Sequence, residues 1–372
     1  MTSPTLSPAI VTGGCGFTGY HLVSGLLEVE PDCEIHVIDI NIERNRIPGV
    51  IYHQCDVSAH SEVEAVFAKV QKPKTIFHTA CPDSTAHQDD VFRRVNVMGT
   101  RNMLEAARRA KTVQAFVNTC SSSVVHDNLT DLHDIDETFP VLKYPQQKRV
   151  YTLTKAEAEA EVLAANRQGG DASMLTTSLR PATTFGPRDD VCMGKIVANA
   201  RAGKAKFQTG TGGNYYDFVY VTNVADAHFL AARALVRAYG KPAFPKDERV
   251  DGETFFITND EPIEFWHFQR GIAASVGLPV RQEDIVVIHK WIALIFAFIS
   301  EWATWIRTAG KGHPTVTREV VHLTTLTRTI NGEKARKVLG YQPRVSMEEG
   351  LAIAGKWFME EAARSETGKK NV

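Results

Sequence analysis

Metal-binding clusters, membrane-spanning runs and nucleic-acid-binding patches are all missing from this chain of 372 residues. Its six cysteines (Cys15, Cys33, Cys55, Cys81, Cys120, Cys192) are scattered, with no Cys-x-x-Cys pair. Metal-ligand spacing and a disulfide framework are both unsupported, so no metal and a reducing compartment are expected. Lys and Arg number 42 against 43 Asp and Glu, and no basic run recurs with aromatics. That argues against a nucleic-acid partner. The opening Met1-Thr-Ser-Pro-Thr-Leu-Ser-Pro8 lacks the basic start and apolar run of a signal peptide. An intracellular enzyme is the expectation. The length allows one elaborated domain or two, with a large buried core.

Against these absences stands Tyr151-Thr-Leu-Thr-Lys155, followed by the strongly helix-forming Ala156-Glu-Ala-Glu-Ala-Glu-Val-Leu-Ala-Ala. Four apart on a helix, Tyr151 and Lys155 share one face. A free phenol has a pKa of about 10 and is a poor proton acceptor near neutrality. A neighbouring ammonium, and a cationic nicotinamide when bound, both favour the phenolate. The pair is thereby poised to take a proton from an alcohol while hydride leaves the same carbon.

The N-terminal third reads as a dinucleotide site. Ala9-Ile-Val-Thr is a buried strand leading into Gly13-Gly-Cys-Gly16-Phe17-Thr-Gly19 and then a helical pattern through Leu22, Val23, Leu26 and Leu27. Glycines three apart allow a tight turn, close approach to a pyrophosphate and packing of a helix on the sheet. The spacing is G-x-x-G-x-x-G rather than G-x-G-x-x-G. A second strand ends in Asp39, whose carboxylate suits ribose hydroxyls and would repel a 2′-phosphate. Arg44 and Arg46 follow only several residues on. NAD is expected rather than NADP.

A third strand lies in residues 50–57, with Asp56 and Val57 placed toward the adenine edge. A fourth ends at Thr79 and Ala80, where a dinucleotide would cross the sheet. A helix over 91–111 carries Asn96 as a structural hydrogen-bonder, and a fifth strand covers 113–119. This strand-helix alternation implies a parallel, doubly wound α/β sheet. Ser121, Ser122 and Ser123 follow the fifth strand, where a hydroxyl can hold a substrate oxygen against Tyr151. Spacing alone does not choose among them.

With these residues assembled, the chain resembles the extended short-chain dehydrogenase/reductase superfamily. The likeness rests on Thr12-Gly-Gly-Cys-Gly-Phe-Thr-Gly19, Asp39, Cys55-Asp-Val57, His78-Thr-Ala80, Asn96-Val-Met-Gly-Thr100, Ser121, Tyr151-x-x-x-Lys155 and Leu179-Arg-Pro181. Phe185-Gly-Pro-Arg-Asp189, the Asp217 to His228 segment, Ile257-Thr-Asn-Asp-Glu-Pro-Ile263 and Leu339-Gly-Tyr-Gln-Pro343 are similar to the 3β-hydroxysteroid dehydrogenase branch, and most of all to its decarboxylating sterol-4α-carboxylate 3-dehydrogenases. The resemblance implies a Rossmann domain with a smaller, mostly C-terminal substrate domain. It further implies Ser121 as the catalytic serine, Tyr151 as acid/base, and Lys155 as the residue that holds the ribose and tunes the tyrosine. Pro181, Ala182 and Thr183 would wall the nicotinamide. Cys120 stands where a serine is common, and His126-Asp-Asn replaces an aromatic-Gly pair.

The implied division is 1–185 for NAD, with a return segment near 216–240, and 186–372 for substrate. The implied reaction is NAD(P)-dependent oxidation of a 3β-hydroxyl on a sterol or terpenoid, with loss of CO2 from a 4α-carboxysterol. Alternatives are a steroid, triterpenoid or meroterpenoid dehydrogenase without decarboxylation, and a non-catalytic dinucleotide sensor. Arg188, Lys148 and Arg149 are candidates to recognise a substrate carboxylate. Residues 291–299 form a continuous apolar run, extending to 306 when Ser300, Glu301 and Thr304 are tolerated. A spanning helix needs about 20 residues. Three tryptophans between Lys290 and Arg307 suit a helix lying in the headgroup region, with a hydrophobic lid or dimer helix as the alternative. Association with the endoplasmic reticulum membrane, or else a cytoplasmic location, and a homodimer complete the expectations.

Overall fold

The computed structural model describes residues 3–85, 88–314 and 316–370, with side chains to 366; Met1 and Thr2 of the opening segment lie outside it. Seven short runs, most of them wholly buried, form the central sheet: β1 (Ala9–Thr12), β2 (Ile35–Asp39), β3 (Ile51–Gln54), β4 (Thr75–His78), β5 (Ala115–Thr119), β6 (Leu175–Pro181) and β7 (Thr254–Ile257). Every pairing is parallel, and the order is β3-β2-β1-β4-β5-β6-β7. The last strand comes from within the 186–372 stretch.

Both faces of the sheet are covered, which is why its inner strands are buried at nearly every position rather than at alternate ones. Val11, Val37, Phe77 and Val117 point toward helices Phe17–Val29 and Val221–Ala238. Their neighbours Ile10, Ile38, Ile76 and Phe116 point the other way, toward His60–Phe67, Thr100–Ala110 and Val150–Ala164. This is the two-residue period of a strand, read once on each face.

The strand order reverses between β1 and β4, so ligands meet the sheet at the carboxyl ends of those two strands. Gly13 follows β1 with φ of 67°, a left-handed conformation that suits glycine. A Cβ there would lie 2.9 Å from the Ala80 Cα, just past β4. A Cβ on Gly19 would lie 2.1 Å from the Gly13 carbonyl oxygen. The glycines therefore close-pack the loop against both the helix and the next strand.

The rest of the chain builds a second layer. A four-stranded sheet runs Ile263–Glu264, Tyr215–Tyr216, Arg328–Ile330 and Leu132–Ile135. Thr183–Phe185 pairs with Phe218–Tyr220, and Phe207–Thr209 with Val286–Ile288. Phe185, Phe218 and Phe268 stack at the centre of this layer, Phe218 and Phe268 with centroids 3.6 Å apart.

Helix Val150–Ala164 is fixed to the sheet by a buried ion pair. Arg180 on β6 reaches Glu159 with Nε 3.0 Å from Oε1 and Nη2 2.5 Å from Oε2, and both side chains are almost fully buried. The Thr176 hydroxyl also donates to the Val162 carbonyl at 2.6 Å. Removing one partner of such a pair leaves a bare charge inside the protein. Glu159→Ala is expected to lose about 3–5 kcal/mol in chemical denaturation; a loss below about 1 kcal/mol would show that this pair does not hold the helix.

Candidate active site

Tyr151 and Lys155 lie in the first two turns of helix Val150–Ala164, on its face toward the end of β5. The Lys155 ammonium donates to the Thr119 carbonyl at 2.8 Å and is buried. Burial works against the charge, yet the pKa is raised, because the Cys81 thiol and the Tyr151 phenol both favour the ammonium. Burial pushes the Tyr151 phenol up to about 12, and Cys81 adds to the rise. Lys155 and a hydrogen bond from the Ser121 hydroxyl pull it back down. The phenol thus sits between an ammonium and a hydroxyl.

Three serines follow β5, and they separate in space. Ser121 caps the short turn Ser122–Val125, its Oγ accepting from the Ser123 N–H at 3.1 Å, and faces Tyr151. Ser122 is buried, and the Ser123 Oγ receives the Thr152 hydroxyl at 3.5 Å.

On the cofactor side, Asp39 closes β2 with one oxygen accepting from the Cys15 N–H and the other from the Asn41 N–H, each at 3.0 Å. The carboxylate is tied directly to the glycine loop. Phe17 opens the helix after that loop and packs edge-on against His21. Asp56 lies past β3, holding the Ser58 N–H and hydroxyl at 2.9 and 2.7 Å, and the Val57 carbonyl accepts from Asn102 at 2.9 Å. The Thr79 hydroxyl donates to the Thr12 carbonyl at 2.6 Å, and the Thr79 and Ala80 N–H groups donate to the Thr12 hydroxyl. Pro181 and Ala182 end β6 in register with Ile257, and Thr183 starts the next strand beside Phe218. Apart from Tyr151 and Lys155 on helix Val150–Ala164, the residues expected to bind the dinucleotide stand at or just beyond the carboxyl ends of β1 to β6. A glycine loop that no side chain fills, facing a helix N-terminus, with a carboxylate at the end of β2, fits an adenine dinucleotide.

Two contributors were not read from the sequence as site residues. Cys81, immediately after Ala80, hydrogen-bonds Lys155 and Asn96, and burial raises its pKa. Its position just past the fourth strand end was the available signal. Asn96 lies in a π-helical stretch, Arg93–Gly99, which turns it inward; its Nδ2 donates to the Thr154 hydroxyl at 3.0 Å. Such bulges recur at functional sites. Of the cations considered for a substrate carboxylate, Arg149 caps the Tyr151 helix and holds the Ser84 carbonyl at 3.1 Å and Glu319 at 3.4 Å. Lys148 is exposed beside it, while Arg188 is drawn away to Asn45.

Comparison with known proteins identifies the family and the fold. The profile of the 3-beta hydroxysteroid dehydrogenase/isomerase family matches residues 10–287. The decarboxylating sterol-4-alpha-carboxylate 3-dehydrogenase of Saccharomyces cerevisiae is 33% identical over 363 residues, covering 95% of this chain and 99% of that protein. The Homo sapiens enzyme of the same name is 33% identical, covering 92% and 85%. Among solved structures, the UDP-glucose 4-epimerase of Thermus thermophilus in complex with NAD superposes with a TM-score of 0.68 at 21% identity, over 94% of this chain and 98% of the other. At that identity the superposition establishes the fold, an extended Rossmann sheet. By profile, relatives and fold together, the chain belongs to the 3-beta hydroxysteroid dehydrogenase/isomerase family.

Proposed function

We propose that the protein oxidises the 3β-hydroxyl of a 4α-carboxysterol and that the resulting 3-keto acid loses carbon dioxide. The observation carrying this reading is the Tyr151 phenol set between Lys155 and Ser121, beyond the β5 strand end, in a chain a third identical to decarboxylating sterol dehydrogenases along nearly its whole length. A dinucleotide held by the glycine loop (residues 13–19) and Asp39 would supply the hydride acceptor for C3. Tyr151 takes the 3-hydroxyl proton, Lys155 holds the phenol toward its anionic form, and Ser121 donates to the same oxygen. Oxidation makes a β-keto acid. When its C4–carboxyl bond breaks, the electron pair moves onto the C3 oxygen, where Ser121 and Tyr151 stabilise the enolate before C4 is reprotonated. Asp39 favours NAD over NADP, because its carboxylate meets the ribose hydroxyls and repels a 2′-phosphate.

Tyr151→Phe removes only the hydroxyl. It is expected to cut turnover of a 4-carboxysterol by about a hundredfold or more while NAD still binds. Release of CO2, followed by mass, tests the second step with the wild-type enzyme. A ketone that keeps its carboxylate restricts the protein to the dehydrogenation, and near-normal turnover in the variant removes Tyr151 from the mechanism.

The pH profile follows from the phenol's environment. Below its pKa the phenol is mostly protonated and cannot accept, so each unit of rising pH raises the accepting fraction about tenfold. Burial places that pKa high, and Lys155 and Ser121 lower it. Sterol oxidation at saturating NAD is therefore expected to climb from pH 6 into the alkaline range. A flat profile from pH 6 to 9 assigns proton removal to another group.

A membrane-surface helix serves the same reading. Among the described residues no helix is long and apolar enough to cross a membrane. Helix Lys290–Thr308 nevertheless buries only Ala293 and Ala297. Trp291, Phe296, Trp305 and Ile306 are each between 58% and 70% exposed, and Ile295, Ile299 and Trp302 are exposed with them. Lys290 and Arg307 stand at the two ends. Such a helix fits the headgroup boundary, where a sterol is taken up. Replacing Trp291, Phe296, Ile299, Trp302 and Ile306 by serine is expected to abolish flotation with phosphatidylcholine/phosphatidylserine vesicles. Flotation equal to wild type would leave the helix as a lid or a contact between copies.

A further inference from the structure

The structure sends a cation from the substrate half to the glycine loop. Arg188 lies in the turn after strand Thr183–Phe185, with φ of 70°. A left-handed conformation is uncommon for a residue other than glycine, and such strain persists where the surroundings over-determine it, often at ligand clamps. The surroundings here are specific. The guanidinium lies 4.0 Å from the Tyr20 ring centroid and 5.7 Å from that of Trp357. Its Nη1 donates to the Asn45 Oδ1 at 2.6 Å. Asn45, itself left-handed at φ 52°, donates from Nδ2 to the Cys15 carbonyl at 2.9 Å, inside the glycine loop. A ring nitrogen of His21 meets the Pro187 carbonyl at 2.9 Å, pinning the same turn to the helix that begins at Phe17.

What Arg188 lacks completes the picture. Among the described residues no carboxylate pairs with it, although most of the other arginines that reach across the fold end on one. Arg44 and Arg46, from the loop that carries Asn45, also act electrostatically on Cys15. A half-buried guanidinium with donors to spare therefore stands over the first turn of the helix whose N-terminus receives a pyrophosphate. Guanidinium is the side chain best shaped to grip phosphate oxygens in pairs.

We propose that Arg188, held by Asn45 and Tyr20, is a cofactor-binding residue that grips the pyrophosphate of NAD from the substrate half of the chain. The grip ties the 186–189 turn to the loop at Cys15, so the cofactor joins the two halves rather than lying on one. The proposal rests on the dinucleotide reading of the cleft and goes beyond it in naming the residue.

The test is equilibrium binding, followed by tryptophan fluorescence or calorimetry, of NAD, NADP, ADP-ribose and adenosine. Arg188→Met is expected to raise the Kd for NAD and for ADP-ribose about tenfold or more, the worth of a charge-assisted hydrogen bond, and to leave adenosine binding within twofold. Arg188→Gln is the milder variant. It can still hydrogen-bond Asn45 but carries no charge, and it should flatten the rise of the NAD Kd with salt. An NAD Kd within twofold of wild type in both variants overturns the proposal. So does an equal weakening of adenosine, which would make Arg188 a support for the loop. A loss confined to NADP would overturn it too, placing the side chain at a 2′-phosphate. Wild-type protein that binds neither NAD nor NADP overturns the dinucleotide reading itself, a result distinct from the other three.

Discussion

One buried ammonium that pairs with no carboxylate among the described residues governs the rest of the site. Lys155 gives up most of its hydration and receives a backbone carbonyl, a thiol and a phenol in return. None of these cancels its charge, so its field falls on the Tyr151 hydroxyl. Helix Val150–Ala164 carries this arrangement beside its opposite. One turn further on, Glu159 is buried against Arg180, a pair whose charges cancel and whose bonds are directional. The paired charges anchor the helix, and the unpaired one acts on the Tyr151 phenol. A carboxylate within reach of Lys155 would make the ammonium cheaper to bury but would shield the phenol from it.

Much of this was legible in the sequence, because the signals are local. Five strands could be read from apolar runs bounded by turns, and each of their carboxyl ends carries a residue of the cleft. Tyr151 and Lys155 are one helical turn apart, so their shared face follows from the 3.6-residue period alone. Boundaries were less sharp: the third strand, read over 50–57, is ordered as strand only over Ile51–Gln54. What escaped depends on long separations. Leu132–Ile135 pairs with Arg328–Ile330, and Thr254–Ile257 returns to flank β6. No periodicity announces such partners. Arg188 was a candidate, with Lys148 and Arg149, to recognise a substrate carboxylate. Its side chain is bonded instead to Asn45, far away in the sequence.

The glycine loop is where the local and the distant meet. Its shape is set by contacts that leave no room for a Cβ: Gly13 against Ala80, and Gly19 against Gly13. Its orientation is set by Asp39, which receives the Cys15 N–H, and by Asn45, which donates to the Cys15 carbonyl. Cys15 is thus gripped on both sides, by the carboxylate at the end of β2 and by the loop that reaches Arg188. A residue with a single backbone partner could swing; one held from both directions presents a preformed surface, which lowers the cost of ordering on binding.

The same economy governs the substrate side. His126, in the loop after Ser121, is fully buried with Nδ1 2.7 Å from the Asn128 Oδ1. The amide oxygen can only accept, so Nδ1 carries the proton, and burial keeps the ring neutral at pH 7 by pulling its pKa to about 4. Asn128 in turn donates to Glu319 at 3.1 Å, and Glu319 also meets Arg149, the residue that caps the Tyr151 helix. The loop after Ser121, helix Arg318–Leu323 and the start of the Tyr151 helix therefore share one carboxylate. The two flanks of the phenol are thus tied together through that residue.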